Sequence, residues 1–255
     1  MDTRHEVVLI GPMGAGKSTL AALLAARLGL PCVVADFLSG GYYRGLGYDE
    51  AWVRRTIGRD FRAVMAYRRP FEARLVEWLV AQHTGCVFDF GAGHVQHDDP
   101  VLADRVGRAL APFADVVLVV PSPDRGESIR VLRERRAPLV FDGFDLDAYA
   151  WDHPSYWRLA TRTVYTAGRT PQECVHELVA QVDRPGAAPA RTATHANALF
   201  AAGALAAERG DPAAARSHLG ECVAIRRELG DEAGAAAAEA VSIPAHVVPP
   251  TYYQS

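Results

Sequence analysis

The feature that most constrains the fold is a glycine-rich loop near the start of the sequence. Residues 11–18 read GPMGAGKS, and this loop stands between the apolar run Val7–Ile10 and a helical pattern over Lys17–Leu28. In this setting the backbone amides of the loop and the positive end of the helix dipole are arranged to hold a polyphosphate. The sequence therefore predicts a nucleoside triphosphate site between a strand and a helix.

The loop supplies most of the predicted cofactor contacts. We expect Lys17 to be partly exposed and to reach the outer phosphates of ATP, and the hydroxyl of Ser18 to bind the accompanying Mg2+. The predicted ATP-binding residues of the loop are Gly11, Met13, Gly14, Ala15, Gly16, Lys17, Ser18 and Thr19. ATP and Mg2+ are thus the predicted cofactors.

Short apolar runs alternate with helical patterns over residues 1–183, which is typical of a parallel sheet covered by helices on both faces. The predicted strands are Val7–Ile10, Cys32–Ala35, Cys86–Asp89, Val116–Val120 and Thr163–Tyr165. The predicted helices are Lys17–Leu28, Asp49–Met65, Phe71–Gln82, Pro100–Leu110, Asp124–Arg135 and Pro171–Val182. The sequence thus predicts an α/β fold with about five parallel strands, whose carboxyl ends share the edge where ligands bind.

Two aspartates are predicted to lie at this carboxyl edge. Asp36 follows the second strand and could orient or deprotonate an acceptor hydroxyl, although a helix or turn cap is the alternative. Asp89 ends the third strand and could hold a water molecule bound to Mg2+, although a turn residue is the alternative. Both alternatives remain open at the level of sequence.

The composition changes after Val182. Residues 184–193 form a linker rich in Pro, Gly and Ala, residues 194–240 read as two alanine-rich amphipathic helices, and residues 241–255 are irregular. The helical segment resembles a single tetratricopeptide repeat at four packing positions, which are Leu199, Gly203, Ala215 and Leu219. One repeat cannot bury its own face, so the segment either docks on the first domain, associates with a protein partner or a second copy, or stays partly loose. A helical hairpin with no binding role is the alternative.

Charge and composition exclude several classes of partner. The net charge is -3 and the pI is near 6.3, so neither a nucleic-acid-binding nor a membrane-binding surface is predicted. No apolar run approaches the length of a membrane span, and the four cysteines show no paired zinc-binding spacing. We therefore expect a soluble, cytoplasmic protein.

Over residues 7–182 the sequence resembles the shikimate kinase family of small phosphate-loop kinases. The resemblance rests on GPMGAGKST, on DFGAGHV, on RRAPL, and on HPSYWRLA followed by TAGRTPQE. It implies a five-stranded parallel sheet with a mobile lid, and transfer of the γ-phosphoryl group of ATP to a hydroxyl of a small acceptor.

The resemblance also implies roles for individual residues. Asp36 matches the aspartate that contacts the acceptor hydroxyl, and Arg130 matches the arginine that lies against adenine. The glycine turn for the acceptor corresponds to Gly91, Ala92 and Gly93, and His94 beside it could bind the acceptor, although a surface or structural histidine is the alternative.

Three departures from the family pattern affect the lid and the acceptor. Ala137 stands where the lid arginine is expected, so Arg136 is predicted to substitute, with Arg133 and Arg135 as the open alternatives. Glu72 and Asp152 stand where the family has arginines that would bind the carboxylate of shikimate. The two carboxylates are therefore predicted acceptor-binding residues that disfavour an anion and favour a cationic acceptor. Seven arginines between positions 54 and 74 leave room for a compensating contact.

Three functional interpretations follow. The first is a kinase for a small hydroxylated acceptor other than shikimate, with Lys17, Asp36 and Arg136 as the catalytic residues. The second is a shikimate kinase with relocated arginines. The third is a nucleotide-dependent regulatory or interaction protein that works through its C-terminal helices.

Overall fold

The computed structural model describes residues 4–57, 60–182, 196, 199–200, 203–204, 207, 212–228 and 230–241. The strands are β1 (Arg4–Ile10), β2 (Cys32–Val34), β3 (Val87–Asp89), β4 (Phe113–Val120), β5 (Val140–Phe141), β6 (Phe144–Asp145) and β7 (Arg162–Tyr165). The helices of residues 1–110 are α1 (Lys17–Leu28), α2 (Ala35–Gly45), α3 (Glu50–Thr56), α4 (Phe61–Gln82), α5 (Ala92–Val95) and α6 (Pro100–Leu110). The helices that follow are α7 (Arg125–Arg135), α8 (Leu146–Asp152), α9 (Pro154–Leu159), α10 (Pro171–Gln181), α11 (Pro212–Glu228) and α12 (Glu232–Glu239).

Five strands form the main sheet in the order β2-β3-β1-β4-β7. Strand β1 pairs in parallel with β3 and β4, and β4 pairs in parallel with β7. The residues Val7–Ile10 of the central strand are fully buried, as expected for a strand covered on both faces. The predicted α/β fold with a five-stranded parallel sheet is confirmed. A separate antiparallel hairpin joins β5 to β6.

Two of the predicted elements differ from the structure around residues 35–82. The helices predicted over Asp49–Met65 and Phe71–Gln82 are instead α3 and α4, because Asp49 and Asp60 each cap a helix by accepting from Trp52 N and Ala63 N. Helix α4 continues through Pro70, since Ala73, Val76 and Leu79 are buried in the main core and tertiary packing outweighs the proline.

Helix α2 was not predicted, and Ala35 is its first residue rather than the last residue of a strand. Its sequence ADFLSGGYYRG contains three glycines and reads as a loop by local propensity. The helix forms because Tyr43 is buried in the main core, a long-range contact that the local sequence does not reveal.

The chain divides into two compact units, residues 1–17 with 33–182 and residues 18–32 with 183–255. The core of the second unit includes Leu199, Leu219, Ile225 and Ala238, and Ala26 of α1 packs against it. A Cβ atom on Gly203 would lie 2.5 Å from Cγ of Leu219, so a small residue is needed there, as the sequence indicated. The likeness to a tetratricopeptide repeat and the predicted domain boundaries stay predictions, and the linker at 184–193 lies outside the described residues.

Candidate active site

The glycine-rich loop follows β1 directly, and its first glycine is required by the neighbouring strand. Gly11 has φ +141°, and a Cβ atom there would lie 2.2 Å from the backbone oxygen of Val119 on β4. Helix α1 begins at Lys17, whose Nζ donates a hydrogen bond to the backbone oxygen of Pro12 at 2.9 Å. Lys17 is therefore only 7% exposed, and the expectation of a partly exposed side chain is wrong because the ammonium is hydrogen-bonded within its own loop.

The predicted phosphate-binding residues lie together on this loop and on the first turn of α1. Met13 is exposed, Ser18 and Thr19 are half-buried, and a Cβ atom on Gly16 would meet nothing within 4 Å. Open space beside Gly16, next to the amino end of a long helix, suits a polyphosphate. The binding roles of Gly14, Ala15 and the other loop residues stay predictions.

Two arginines at the carboxyl end of α7 contact the loop. Arg135 Nη1 donates to the backbone oxygen of Ala15 at 3.0 Å and to the hydroxyl of Thr166 at 2.9 Å. Arg136 Nη2 donates to the backbone oxygen of Met13 at 3.0 Å. The sequence left the lid arginine undecided between three residues, and the structure brings two of them, Arg135 and Arg136, to the loop.

Arg133 is held instead by carboxylates of the segment that follows the hairpin. Its Nη2 donates to Asp145 at 2.5 Å, and its Nε to Asp147 at 3.3 Å. Asp147 is almost fully buried and also accepts from Arg136 and from the backbone N–H of Leu139. The buried carboxylate of Asp147, just after β6, thus accepts hydrogen bonds from Leu139, just before β5, and from Arg133 and Arg136.

The tip of this hairpin rests on the start of α4. The ring of Phe61 stacks on Phe141 with centroids 4.0 Å apart, and Arg62 lies over the ring of Phe144 at 5.2 Å. The hairpin therefore spans from the phosphate loop to the helix that carries Glu72, which is the position that a lid over two substrates requires.

Arg130 lies on the exposed side of α7 and forms an ion pair with Glu134 one turn later. Its predicted contact with adenine stays a prediction. Asp89 is buried at the carboxyl end of β3, where it stands opposite Leu9 of β1. That place suits a Walker-B-type carboxylate, and its role toward Mg2+ also stays a prediction.

The glycine turn after β3 is shaped by two carboxylates. A Cβ atom on Gly91 would lie 2.6 Å from Oδ1 of Asp36, and one on Gly93 would lie 2.4 Å from Oε1 of Glu72. A larger residue at Gly93 would have to displace the buried Glu72 side chain, whereas at Gly91 the exposed Asp36 side chain has room to move. Ala92 lies between the two glycines, and Asp36, on the first turn of α2, keeps a side chain that is 70% exposed.

Glu72 is paired with Arg69, a partner that the sequence alone did not identify. Arg69 Nη1 donates to Oε2 of Glu72 at 2.9 Å and to the backbone oxygen of Gly93 at 2.8 Å, and both side chains are about nine-tenths buried. Glu72, followed by Tyr149, holds the pKa of Arg69 above its ordinary value against the opposing effect of burial. The two residues lie one helical turn apart on α4 and form a pair, so Arg69 is one of the arginines that could compensate, and acceptor binding by Glu72 stays a prediction.

Asp152 is not brought to the glycine turn by any contact in the described residues. Its two carboxylate oxygens accept from Nε and Nη2 of Arg125 at 2.8 and 2.7 Å, and both side chains are about half exposed. This hydrogen-bonded pairing lowers the pKa of Asp152. The negative charge that was expected to attract a cationic acceptor is thus already matched by an arginine.

His94 lies on the turn, and the structure buries it. Its Nε2 lies 3.1 Å from the hydroxyl of Tyr43, and its Nδ1 lies 3.9 Å from Oδ1 of Asp36. Burial lowers the pKa of His94, against the opposing effect of Asp36, and burial raises the pKa of Tyr43. Both groups are therefore uncharged near neutral pH, and a surface position for His94 is excluded.

Further buried polar groups stand behind the turn. His97 Nε2 lies 3.1 Å from the backbone oxygen of His94, and burial lowers the pKa of His97 to about 4. Tyr156 is fully buried and donates a long hydrogen bond, 3.4 Å, to the backbone oxygen of Ala92. The sequence signal for the two histidines was the run HVQH, which directly follows the glycine turn.

The sequence and the fold were compared with those of known proteins. No protein-family model matches the sequence. The shikimate kinase of Colwellia psychrerythraea is 29% identical over 188 residues, which cover 72% of this chain and 99% of that protein. The shikimate kinase of Thermobifida fusca is 29% identical over 187 residues, which cover 71% of this chain and 96% of that protein.

A solved structure of shikimate kinase from Acinetobacter baumannii, in complex with shikimate, has a similar fold. It superposes with a TM-score of 0.50 and 20% identity, covering 71% of this chain and 94% of that one. The prediction of a nucleotide-binding phosphate-loop fold and of a phosphotransferase with a hydroxyl acceptor is confirmed by these similarities. None of the described helices is both long and apolar enough to cross a membrane. Over about seven tenths of its length the chain is thus similar in sequence to shikimate kinases, and it shares their phosphate-loop fold.

Proposed function

We propose that this protein transfers the γ-phosphoryl group of ATP to a hydroxyl of a small acceptor that binds at the glycine turn. The observation that carries the proposal is the order of three neighbouring strands. The phosphate loop follows β1, the turn Gly91–Gly93 follows β3, and Asp36 follows β2, in the sheet order β2-β3-β1. Strands two apart are separated by roughly 10 Å, a gap that a γ-phosphate extending from the loop and an acceptor held beside Asp36 can bridge between them.

The residues of the loop fit ATP with Mg2+. The backbone amides of the loop, Lys17 and the amino end of α1 would hold the phosphates, and Ser18 and Asp89 would hold Mg2+ directly or through water. When bound, ATP supplies the phosphoryl group and Mg2+ neutralises charge on its oxygens. Arg136 stands beside the loop for the charge that develops on the transferred group.

Asp36 is the residue that handles the acceptor proton. Its carboxylate is exposed toward solvent on one side and touches the Gly91 position on the other. A carboxylate there orients the reacting hydroxyl and accepts its proton as the bond to phosphorus forms. Loose phosphoryl transfer needs little more than such positioning, so Asp36 and Lys17 form the minimal pair.

The charge at the turn argues for a small polyol and against a strongly cationic acceptor. Glu72 is paired with Arg69, and Asp152 with Arg125, so neither carboxylate presents an uncompensated charge. Asp36 alone keeps an exposed negative charge at the turn, and it lies where the reacting hydroxyl is expected. These pairings therefore give no support to the predicted preference for a cationic acceptor.

A genuine shikimate kinase is the second candidate, and one observation favours it. Arg69 is a buried guanidinium within 2.8 Å of the backbone of Gly93, so a cationic group does stand at the acceptor turn. The Acinetobacter baumannii relative has shikimate bound in its structure. Arg69 would be the relocated arginine.

The test is an acceptor screen that follows ADP formation from Mg·ATP. The acceptors are shikimate, quinate, myo-inositol and 2-deoxystreptamine, each compared with water alone. We expect at least one acceptor to raise ADP formation well above the rate in water, and Lys17→Ala to lower kcat by about 10²- to 10³-fold. The matched control is Arg108→Ala, which removes an exposed arginine paired with Asp104 far from the loop.

The outcomes separate the interpretations. Efficient transfer to shikimate alone establishes the second candidate, and transfer to another acceptor establishes the first. Slow hydrolysis with no response to any acceptor would contradict both and favour a nucleotide-dependent regulatory protein. A protein partner or self-association through the C-terminal helices and a cytoplasmic location stay proposals, which size-exclusion chromatography and fractionation would test.

A further inference from the structure

His94 is a buried imidazole, and one of its ring nitrogens, Nδ1, faces Asp36. Its side chain is 4% exposed, Nε2 lies 3.1 Å from the hydroxyl of Tyr43, and Nδ1 is buried with no hydrogen-bond partner among the residues that the structure describes. A buried polar atom without a partner is costly, so it is a sign of a group that binds something the protein alone does not supply.

The atom that Nδ1 faces is the carboxylate of Asp36. The distance of 3.9 Å from Nδ1 to Oδ1 is too long for a direct hydrogen bond. One oxygen atom placed about 2.8 Å from each would complete two hydrogen bonds, with an angle near 90° between them. The distance between His94 Nδ1 and Asp36 Oδ1 therefore matches one hydroxyl oxygen that bridges them.

We propose that His94 Nδ1–H donates a hydrogen bond to the acceptor oxygen that Asp36 deprotonates, with Tyr43 O–H donating to Nε2 to fix this tautomer. His94 is then a positioning residue for the reacting hydroxyl. The hydroxyl proton passes to Asp36, one lone pair of the oxygen accepts from His94, and another forms the bond to the γ-phosphorus while the bond from that phosphorus to the bridging oxygen breaks and ADP leaves. This inference rests on the proposed kinase function.

The surroundings of His94 support a neutral imidazole in this role. The ring of Phe90 stands edge-on at 6.1 Å, and the hydroxyl of Tyr43 is the hydrogen-bonding group that meets Nε2. A neutral imidazole keeps one donor and one acceptor, so a donor at Nδ1 requires an acceptor at Nε2, which the Tyr43 hydroxyl proton satisfies. Tyr43 thus decides which nitrogen faces Asp36.

Two substitutions separate the two ring nitrogens. The short amide of His94→Asn lies where Nδ1 lies, so it retains a donor toward Asp36 and loses Tyr43. The longer amide of His94→Gln reaches Tyr43 and lacks a donor near Asp36. We expect kcat/KM for the acceptor to fall about tenfold in His94→Gln and by less than about threefold in His94→Asn, with KM for ATP unchanged in both.

The kinetics use whichever of shikimate, quinate, myo-inositol and 2-deoxystreptamine has the highest kcat/KM with the unmodified protein. If His94 had only a structural role, both variants would lose thermal stability and their acceptor kinetics would be equal. Equal acceptor kinetics in the two variants, or the reverse order, would overturn the inference while the kinase function stands.

An independent measurement tests the tautomer without an acceptor. In 15N-labelled protein at pH 7, we expect Nδ1 of His94 to carry the proton and Nε2 to be bare, and Tyr43→Phe to shift this balance. A bare Nδ1 would overturn the inference whatever the kinetics show. If the unmodified protein transfers phosphate to none of the four acceptors, the proposed function has failed and this inference fails with it.

Discussion

The phosphate loop and the acceptor turn follow neighbouring strands of one sheet, yet backbone contacts shape the loop whereas side-chain contacts shape the turn. The loop is made of backbone, with Gly11 pressed against the backbone of Val119 and arginines held by its carbonyl oxygens. The turn is made of side chains, because Asp36, Glu72 and Arg69 fill the space beside its glycines. A backbone site suits a polyphosphate common to many enzymes, whereas a side-chain site can be changed one residue at a time and so determines specificity.

The contrast predicts that the loop is most sensitive to substitutions that disturb its backbone. Gly11→Ala combines a strained positive φ with a clash against Val119, so we expect it to lower the free energy of unfolding by about 2 to 6 kcal/mol. Gly16→Ala is the matched control, since its φ is also positive but nothing lies within 4 Å of the added Cβ. Urea denaturation measures both. Equal losses in the two variants would show that the contact with β4 is unimportant.

At the turn, the buried pair of Arg69 and Glu72 should dominate stability. Glu72→Ala leaves the guanidinium of Arg69 buried without its carboxylate, so we expect a loss of about 3 to 5 kcal/mol in the free energy of unfolding. The double variant Arg69→Met with Glu72→Met removes both charges and should be markedly more stable than Glu72→Ala. Calorimetric melting separates them, and a double variant less stable than the single one would contradict a side-chain-built turn.

The groups behind the turn predict a dependence of stability on pH. Burial holds the pKa of His97 at about 4, against 6.5 in the unfolded chain, so the unfolded state binds more protons between these values. Stability is therefore complete above about pH 6.5 and falls as the pH decreases, by up to about 3 kcal/mol below pH 4. His94 and His153, whose pKa values are also lowered by burial, act in the same direction.

Urea denaturation at pH 7, 5 and 4 checks this dependence. His97→Gln removes the titrating group and should flatten the curve between pH 6.5 and 4, with Arg108→Ala as an exposed control that leaves the curve unchanged. Identical pH dependence in His97→Gln and the unmodified protein would mean that His97 is not held neutral by its surroundings.

The smallest effect is expected from removal of residues 184–255. None of the described residues after Val182 belongs to the main core, so residues 1–183 should fold and bind ATP. Ala26 of α1 loses the partners that it has in the second unit, so we expect a loss of about 1 kcal/mol, or a Tm lower by about 2 to 4 °C. Circular dichroism checks the fold. An insoluble or unfolded product would show that the C-terminal helices are part of the core.

The local sequence was sufficient to predict the phosphate loop and the strands of the sheet, because both depend on residues that are neighbours in the sequence. The pattern GPMGAGKS and the apolar run before it predicted the strand, the loop and helix α1 with its observed bounds. Alternating apolar runs predicted the parallel sheet, since buried strands need apolar residues on both faces. The place of Asp36 and Asp89 at strand ends followed from the same reasoning.

Tertiary structure decided the acceptor turn, because its contacts join residues far apart in the sequence. Arg69 meets Gly93, His94 meets Tyr43, and no local pattern pairs residues at such separations. Helix α2 forms from a glycine-containing segment because Tyr43 is buried, and Arg135 and Arg136 reach the loop because the chain returns to it after α7. Motif and periodicity are properties of consecutive residues, whereas the partner of a buried charge is chosen by the packing of the whole fold.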